Sequence, residues 1–301
     1  MFKHILVPLD GSRLAETALV PAASMSKTLS APVTLLHIIE KDAPQAIHHD
    51  HHLTRADEAS AYLNETASRA FPAGTQVEAH VHAAAVQDVA ASIIQHASEE
   101  YNPDLIVMCA HGQGGFRDFV FGNIAQQVLS GGETPLLLLQ PHGIKPHPFS
   151  LRRILVPLDN ESLHDESLEY ARELARAYTA ELYLLTVVPT YSTLTGQEAA
   201  VGNLLPATAA AYLEIQEETA REHLQEHLNE CLASGLETSA EIGRGDPADV
   251  IVSTAARLHA DLILLGTHRK AGMSAFWARS VAPNVVKRAP SPLLLIPLRK
   301  K

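Results

Sequence analysis

The sequence predicts two consecutive α/β domains, each an open, doubly wound, five-stranded parallel sheet with helices on both faces. Three observations predict it. The chain is written twice: "HILVPLDGS" (His4 to Ser12) returns as "RILVPLDNE" (Arg153 to Glu161), "VTLLHIIE" as "LYLLTVVP", "PDLIVMCAHG" as "ADLILLGTHR", and "TPLLLLQP" as "SPLLLIPL", always in the same order. Each of these runs is nearly continuously apolar, as a parallel strand buried on both faces must be. Between them lie segments of helical length and spacing, and strand–helix–strand alternation means right-handed crossovers onto one sheet.

In chain order, "ILVPL" is the first strand. "SRLAETALVPAASMSKTL" spaces Leu14, Ala18, Leu19, Ala22 and Met25 at helical intervals, with Pro21 expected to kink or interrupt it. Ser12 is the expected N-cap. "VTLLHII" is the second strand, and "ADEASAYLNETASRAF" a long helix. Then come strand "QVEAHVH", helix "VQDVAASIIQHASEEY", strand "LIVMCA", a glycine-rich loop, helix "NIAQQVLSG" and strand "PLLLLQ". The second half repeats this rhythm; its "GRGDPADVI" reads as a strand end turning into a helix capped by Asp246. The joint, "QPHGIKPHPFSLR", carries three prolines and a glycine and reads as a short, fairly stiff linker. Domains are therefore expected at 1–142 and 151–301, with 143–150 between them.

Composition narrows the function. The chain has 301 residues, 46% hydrophobic and 19% charged, with a formal net charge of -11. That charge argues against a nucleic-acid partner, which needs a clustered basic surface. No apolar run reaches the roughly 20 residues of a membrane span. The first residues run straight into a strand, so no signal peptide is expected. Cys109 and Cys231, one per half, read as reduced structural thiols of a cytoplasmic protein.

In a doubly wound sheet, ligands sit at the carboxyl ends of the strands where the strand order reverses. The loops after "ILVPL", "LLHII" and "LIVMC" should share that crevice. After "LIVMCA" come Gly112, Gly114 and Gly115, then Gly122 and Asn123 at a helix start. Glycines let a backbone approach a ligand, and a helix N-terminus offers free N–H groups to an anion. The same residues also suit a plain glycine-rich turn before an ordinary helix.

These motifs resemble those of a tandem universal stress protein, and the resemblance covers nearly the whole chain: "ILVPLDGS", "LLHII", "DLIVMCAHG" and "TPLLLL", each again in the second half. It implies Rossmann-like domains of the adenine nucleotide alpha hydrolase-like kind and a cytoplasmic stress-response protein. It also implies a binding or signalling role in place of catalysis. The family's nucleotide motif is G-x2-G-x9-G-[S/T]. The first half reads Cys109-x2-Gly112-x9-Gly122-Asn123. The resemblance implies that ATP or AMP binds there, with Asp10 and Ile38 flanking the adenosine and Pro8 and Met108 nearby. Gly112, Gly122, Asn123 and the N–H of Ile124 would hold the phosphates. In the second half Gly266 and Ser280 remain, but Arg269 and Arg279 replace the next two glycines. Long side chains there obstruct the backbone approach, so the second half is expected to bind no ATP, and Asp159 to be a relic of Asp10. Family members pair subunits edge to edge through the terminal strand. The two copies in one chain imply an intramolecular pseudo-dimer, with other faces left for a homodimer.

Two rivals remain. A slow ATPase needs a metal-anchoring carboxylate near the loop, where Asp118 stands; a scaffold would bind no nucleotide at all. Apart from these, "AIHHDHHLT" and "AHVH" bring histidines together, and His80 and His82 share a strand face. A metal site from His48, His52 and His82 is one reading, and a histidine-rich exposed loop the other. No nucleophile elbow, Walker loop or carboxylate pair is present, and His111 reads as a polar turn residue beside the loop.

Overall fold

A computed structural model describes residues 2–47, 50–110, 123–139, 149–159, 165–194, 200, 204–268 and 281–298. Two compact units emerge. One is built on Met1–Ser150 and also takes in Pro292–Pro297; the other is built on Leu151–His268.

In the first unit five parallel strands lie in the order β7-β6-β1-β2-β5. They are β1 (Ile5–Pro8), β2 (Val33–Glu40), β5 (Val77–Val86), β6 (Leu105–Cys109) and β7 (Leu136–Leu139). The central strand is apolar because both its faces are covered: Ile5, Leu6 and Val7 have no solvent exposure. A small hairpin, β3 (Ala46–Ile47) with β4 (Asp50–His51), follows β2. The strands alternate with α1 (Leu19–Leu29), α2 (Ala56–Ala70), α3 (Val89–Gln95) and α4 (Asn123–Gly131).

The interruption expected at Pro21 falls earlier, at the start of α1. Ala15–Ala18 form a 3-10 turn, and the α-helix begins only at Leu19. Pro21 thereby falls in the first helical turn, where its missing N–H has no intrahelical partner to lose. Ser12 is fully buried and its hydroxyl accepts the N–H of Ala15 at 3.1 Å, so it caps the 3-10 turn and not the α-helix. Just before Ser12, Gly11 turns with φ +89°. A Cβ there would lie 2.8 Å from Leu53 Cγ, so the turn after β1 admits only glycine.

The helix expected over 86–101 is also shorter. β5 extends to Val86, Asp88 caps α3 by accepting the N–H of Ala91 at 2.9 Å, and His96–Tyr101 continue as a π-helical turn. A π-turn is a one-residue insertion into an α-helix, and such insertions recur at functional sites.

The second half contributes β8 (Arg153–Leu158), β9 (Glu181–Val188), β10 (Thr238–Arg244), β11 (Leu262–His268) and β12 (Leu293–Leu298). Within the second unit the order is β10-β9-β8-β11, all parallel. Its helices are α5 (Asp165–Tyr178), α6 (Pro206–Ala233), α7 (Pro247–Leu258) and α8 (Val281–Arg288). Asp246 caps α7 as expected, accepting the N–H of Asp249 at 3.0 Å with Pro247 at the first helical position. In the first unit β12 pairs antiparallel with β7, Leu293 to Leu295 opposite Leu138 to Leu136. Cys109 and Cys231 are both buried, and neither is in a disulfide.

Each unit fastens the start of its first strand in the same way. Asp104 accepts the N–H groups of Lys3 and His4 at 3.0 and 2.7 Å. Asp261 accepts those of Arg152 and Arg153 at 2.8 and 2.9 Å.

Candidate functional site

The strand order reverses at β1, between β2 on one side and β6 on the other. The residues expected to bind a ligand gather at the carboxyl ends of these three strands. Pro8 ends β1, level with Leu36 of β2; Ile38 lies two residues further along β2, toward Asp10. Continuing the register of Leu6 with Ile106 sets Met108 beside Pro8. Ile38 and Met108 are buried, whereas Pro8 and Asp10 are partly exposed. Asn123 and Ile124 are the first two residues of α4, the helix that returns after β6, and Ile124 is exposed. Gly112 and Gly122, with His111 and Asp118, lie outside the described residues, as do Arg269, Arg279 and Ser280.

The turn after β1 is tightly specified. Asp10 Oδ1 accepts both the N–H of Ser12 at 2.9 Å and its hydroxyl at 2.7 Å, closing an Asx-turn that fixes the carboxylate at the mouth of the crevice. Asp50 of the hairpin accepts the N–H of Arg13 at 2.9 Å and its Nε–H at 3.1 Å, tying β4 to this turn.

His37 was not among the expected residues. It is buried, with Nδ1 2.8 Å from the carbonyl of Leu9 and Nε2 2.9 Å from that of Leu53. The ring thus bridges the end of β1 to the segment packed over Gly11. The pattern "LLHII" hid it, because a histidine inside an apolar strand gives no sign of where its nitrogens point.

Of His48, His52 and His82, His48 lies outside the described residues, and His52 follows the β3–β4 hairpin. The buried His52 faces the carbonyl of Pro44 at 3.1 Å and Glu40 at 3.8 Å. Among the described residues, the group with metal-ligand proximity is His80, His96 and Glu100, whose ligand atoms all lie within 4.8 Å of one another. His80 and His82 do share one face of β5, as the alternation required: their rings stand 5.1 and 5.0 Å from that of His96. His96 Nδ1 lies 2.8 Å from Glu100, while the buried Nε2 has no partner among the described residues. Burial holds the His96 pKa below its ordinary value; the Glu100 charge opposes that, and the His80 and His82 charges add to it. Burial, then Glu100 and Glu78, push the neighbouring Tyr101 up to about 12.

The corresponding place in the second unit is different. By strand register Glu241 stands where His80 does, and counting from the two caps puts Thr254 at His96. Counting back from the Asp104 and Asp261 anchors puts Arg257 at Glu100. Arg257 bonds Glu241, and Thr254 donates to it at 3.4 Å. The two counts differ because the first half has one residue more between cap and anchor, and the π-turn is where that residue goes.

Two Rossmann-like α/β units, the first with its polar turn, buried flanking residues and returning helix at a topological switch point, define a doubly wound class of α/β protein. The model of the universal stress protein family matches residues 1–140 and again 150–297, and the chain belongs to that family. It is 31% identical to a universal stress protein of Methanocaldococcus jannaschii over 50% of this chain and 84% of that one. It is 32% identical to a universal stress protein of Synechocystis over 46% of this chain and 86% of that one. Among solved structures, a universal stress protein from Archaeoglobus fulgidus superposes with a TM-score of 0.71 at 20% identity, covering 98% of this chain and 96% of that one. A functionally unknown protein from Pseudomonas aeruginosa gives 0.68 at 21%, covering 99% and 93%. At these identities the likeness of the two structures concerns the fold. Among the described residues no helix is long and apolar enough to cross a membrane.

Proposed function

We propose that this chain is a cytoplasmic stress-response protein whose first domain binds an adenine nucleotide, ATP or AMP, and whose second does not. The observation that carries the reading is the convergence of Pro8, Asp10, Ile38 and Met108 at the ends of three adjacent strands. The residues fit the group. The Asx-turn holds a carboxylate beside the place for a ribose, and the first N–H groups of α4 suit an anion. Gly112 and Gly122 would let the phosphates reach the main chain, whereas Arg269 and Arg279 deny that contact in the duplicate. Binding changes the protein's conformation or choice of partner; no catalytic step is assigned.

The domains of this reading are 1–142 and 151–301, joined by 143–150. The antiparallel pairing of β12 with β7 supports an intramolecular pseudo-dimer, since it covers an apolar edge that would otherwise invite other chains.

Calorimetric titration of the full chain with ATP and AMP tests the proposal. One site per chain is expected, with a melting temperature that rises with ligand. Gly122→Arg, copying Arg279, should weaken it at least tenfold. No heat and no thermal shift at millimolar nucleotide would leave a scaffold, and a site that survives Gly122→Arg would place the nucleotide elsewhere.

A further inference from the structure

His80, His96 and Glu100 form a donor set with no counterpart in the second unit and no part in the nucleotide crevice. Three observations single it out. First, the side chains come from two elements that meet at a sheet edge: His80 from β5, and His96 and Glu100 from the π-turn after α3. Second, the donors are already close, within 4.8 Å of one another, with His96 Nδ1 and Glu100 at 2.8 Å. Third, His96 is 8% exposed, so packing holds the ring in place with its Nδ1 at Glu100.

We propose that His80, His96 and Glu100 bind a zinc-type divalent cation, with water as the fourth ligand, clamping β5 to the π-turn.

The donor types select the metal class. Two imidazoles and one carboxylate suit Zn²⁺ and its spectroscopic substitute Co²⁺, and a set that is two-thirds nitrogen does not suit Mg²⁺ or Ca²⁺. Bonds of about 2.0–2.1 Å in a tetrahedron put ligand atoms about 3.3 Å apart, so the set needs to contract by roughly an ångström and a half at most. The exposed Glu100 and the half-buried His80 supply that movement, while the buried His96 is the fixed member. The exposure of Glu100 also gives the ion a way in. The extra residue of the π-turn explains the placement: it rotates the following residues, so that His96 and Glu100 both lie against β5. The second unit, one residue shorter here, has a guanidinium–carboxylate pair in the same place, satisfied without an ion.

Untagged full-length protein, stripped with chelator, is titrated with ZnCl₂ by calorimetry and with CoCl₂ by visible absorption. One equivalent of zinc is expected, together with four-coordinate Co²⁺ bands that zinc displaces. His80→Asn and Glu100→Gln should each weaken zinc at least tenfold and abolish the bands. His96→Ala should do the same; because that ring is buried, the His80→Asn result stands even if His96→Ala fails to fold. The triple variant His48→Ala, His49→Ala, His51→Ala should bind as the parent does. No stoichiometric zinc, unchanged zinc in His80→Asn and Glu100→Gln, or loss in the triple variant would each overturn the assignment. None of these results depends on whether nucleotide binds.

Discussion

The two units apply one backbone plan to different chemistry. Asp104 and Asp261 hold the starts of β1 and β8 with the same pair of bonds, and β1 with β2 keeps the register of β8 with β9. What differs is side chains at matching places. His37 in β2 bridges two carbonyls, whereas Thr186, its counterpart in β9, is buried with its hydroxyl unpartnered among the described residues. The imidazole–carboxylate cluster of the first unit is an arginine–glutamate pair in the second. Anchors that hold backbone N–H groups are kept in both copies; the side chains at these other matching positions are not.

The largest test of this comparison concerns the anchors. Asp104→Ala and Asp261→Ala each orphan two backbone N–H groups, and each should cost about 2–4 kcal/mol of the unfolding free energy of its own unit. Urea unfolding followed by hydrogen exchange assigns the loss to a unit; a loss in one variant but not the other would break the equivalence. A smaller effect is expected at the bridge. His37→Thr rebuilds the second unit's residue in the first and should cost about 1–3 kcal/mol, with faster exchange around Leu53. Unchanged exchange there would mean that the bridge restrains nothing. The smallest effect is expected from the second unit's ion pair. Glu241 and Arg257 are about half exposed, so a double-mutant cycle should give a coupling below about 1 kcal/mol. A larger value would mark that pair as structural and weaken its contrast with the cluster of the first unit.

Much of this was legible in the sequence. Apolar runs such as "ILVPL" and "LLLL" are diagnostic because a strand buried on both faces has no polar alternation, and the duplication gave each element a second reading. α4 spans "NIAQQVLSG", the segment the sequence marks, and the Asp246 cap follows from a proline at the first helical position. Long-range pairings were not legible. The π-turn leaves the apolar spacing of Ile93, Ile94 and Ala97 nearly intact, so periodicity alone reads one helix through it. His80 and His82 were visible as neighbours on a strand, but His96 comes from an element that only the fold brings to them. The role of Asp104 was not legible either, because its bonds run to the start of a strand about a hundred positions away. The glycine loop lies outside the described residues, so its part in binding rests on its motif.

One consequence follows from β12. The first unit takes in Pro292–Pro297 from the second half of the sequence, so its antiparallel strand leaves the ribosome after every other strand of that unit. Until then Leu136–Leu139 has no antiparallel mate, and a nascent or truncated chain carries a sticky border that a neighbouring molecule can occupy. Covering of that edge in the amino-terminal half therefore waits for β12, and a chain cut short before β12 leaves it open.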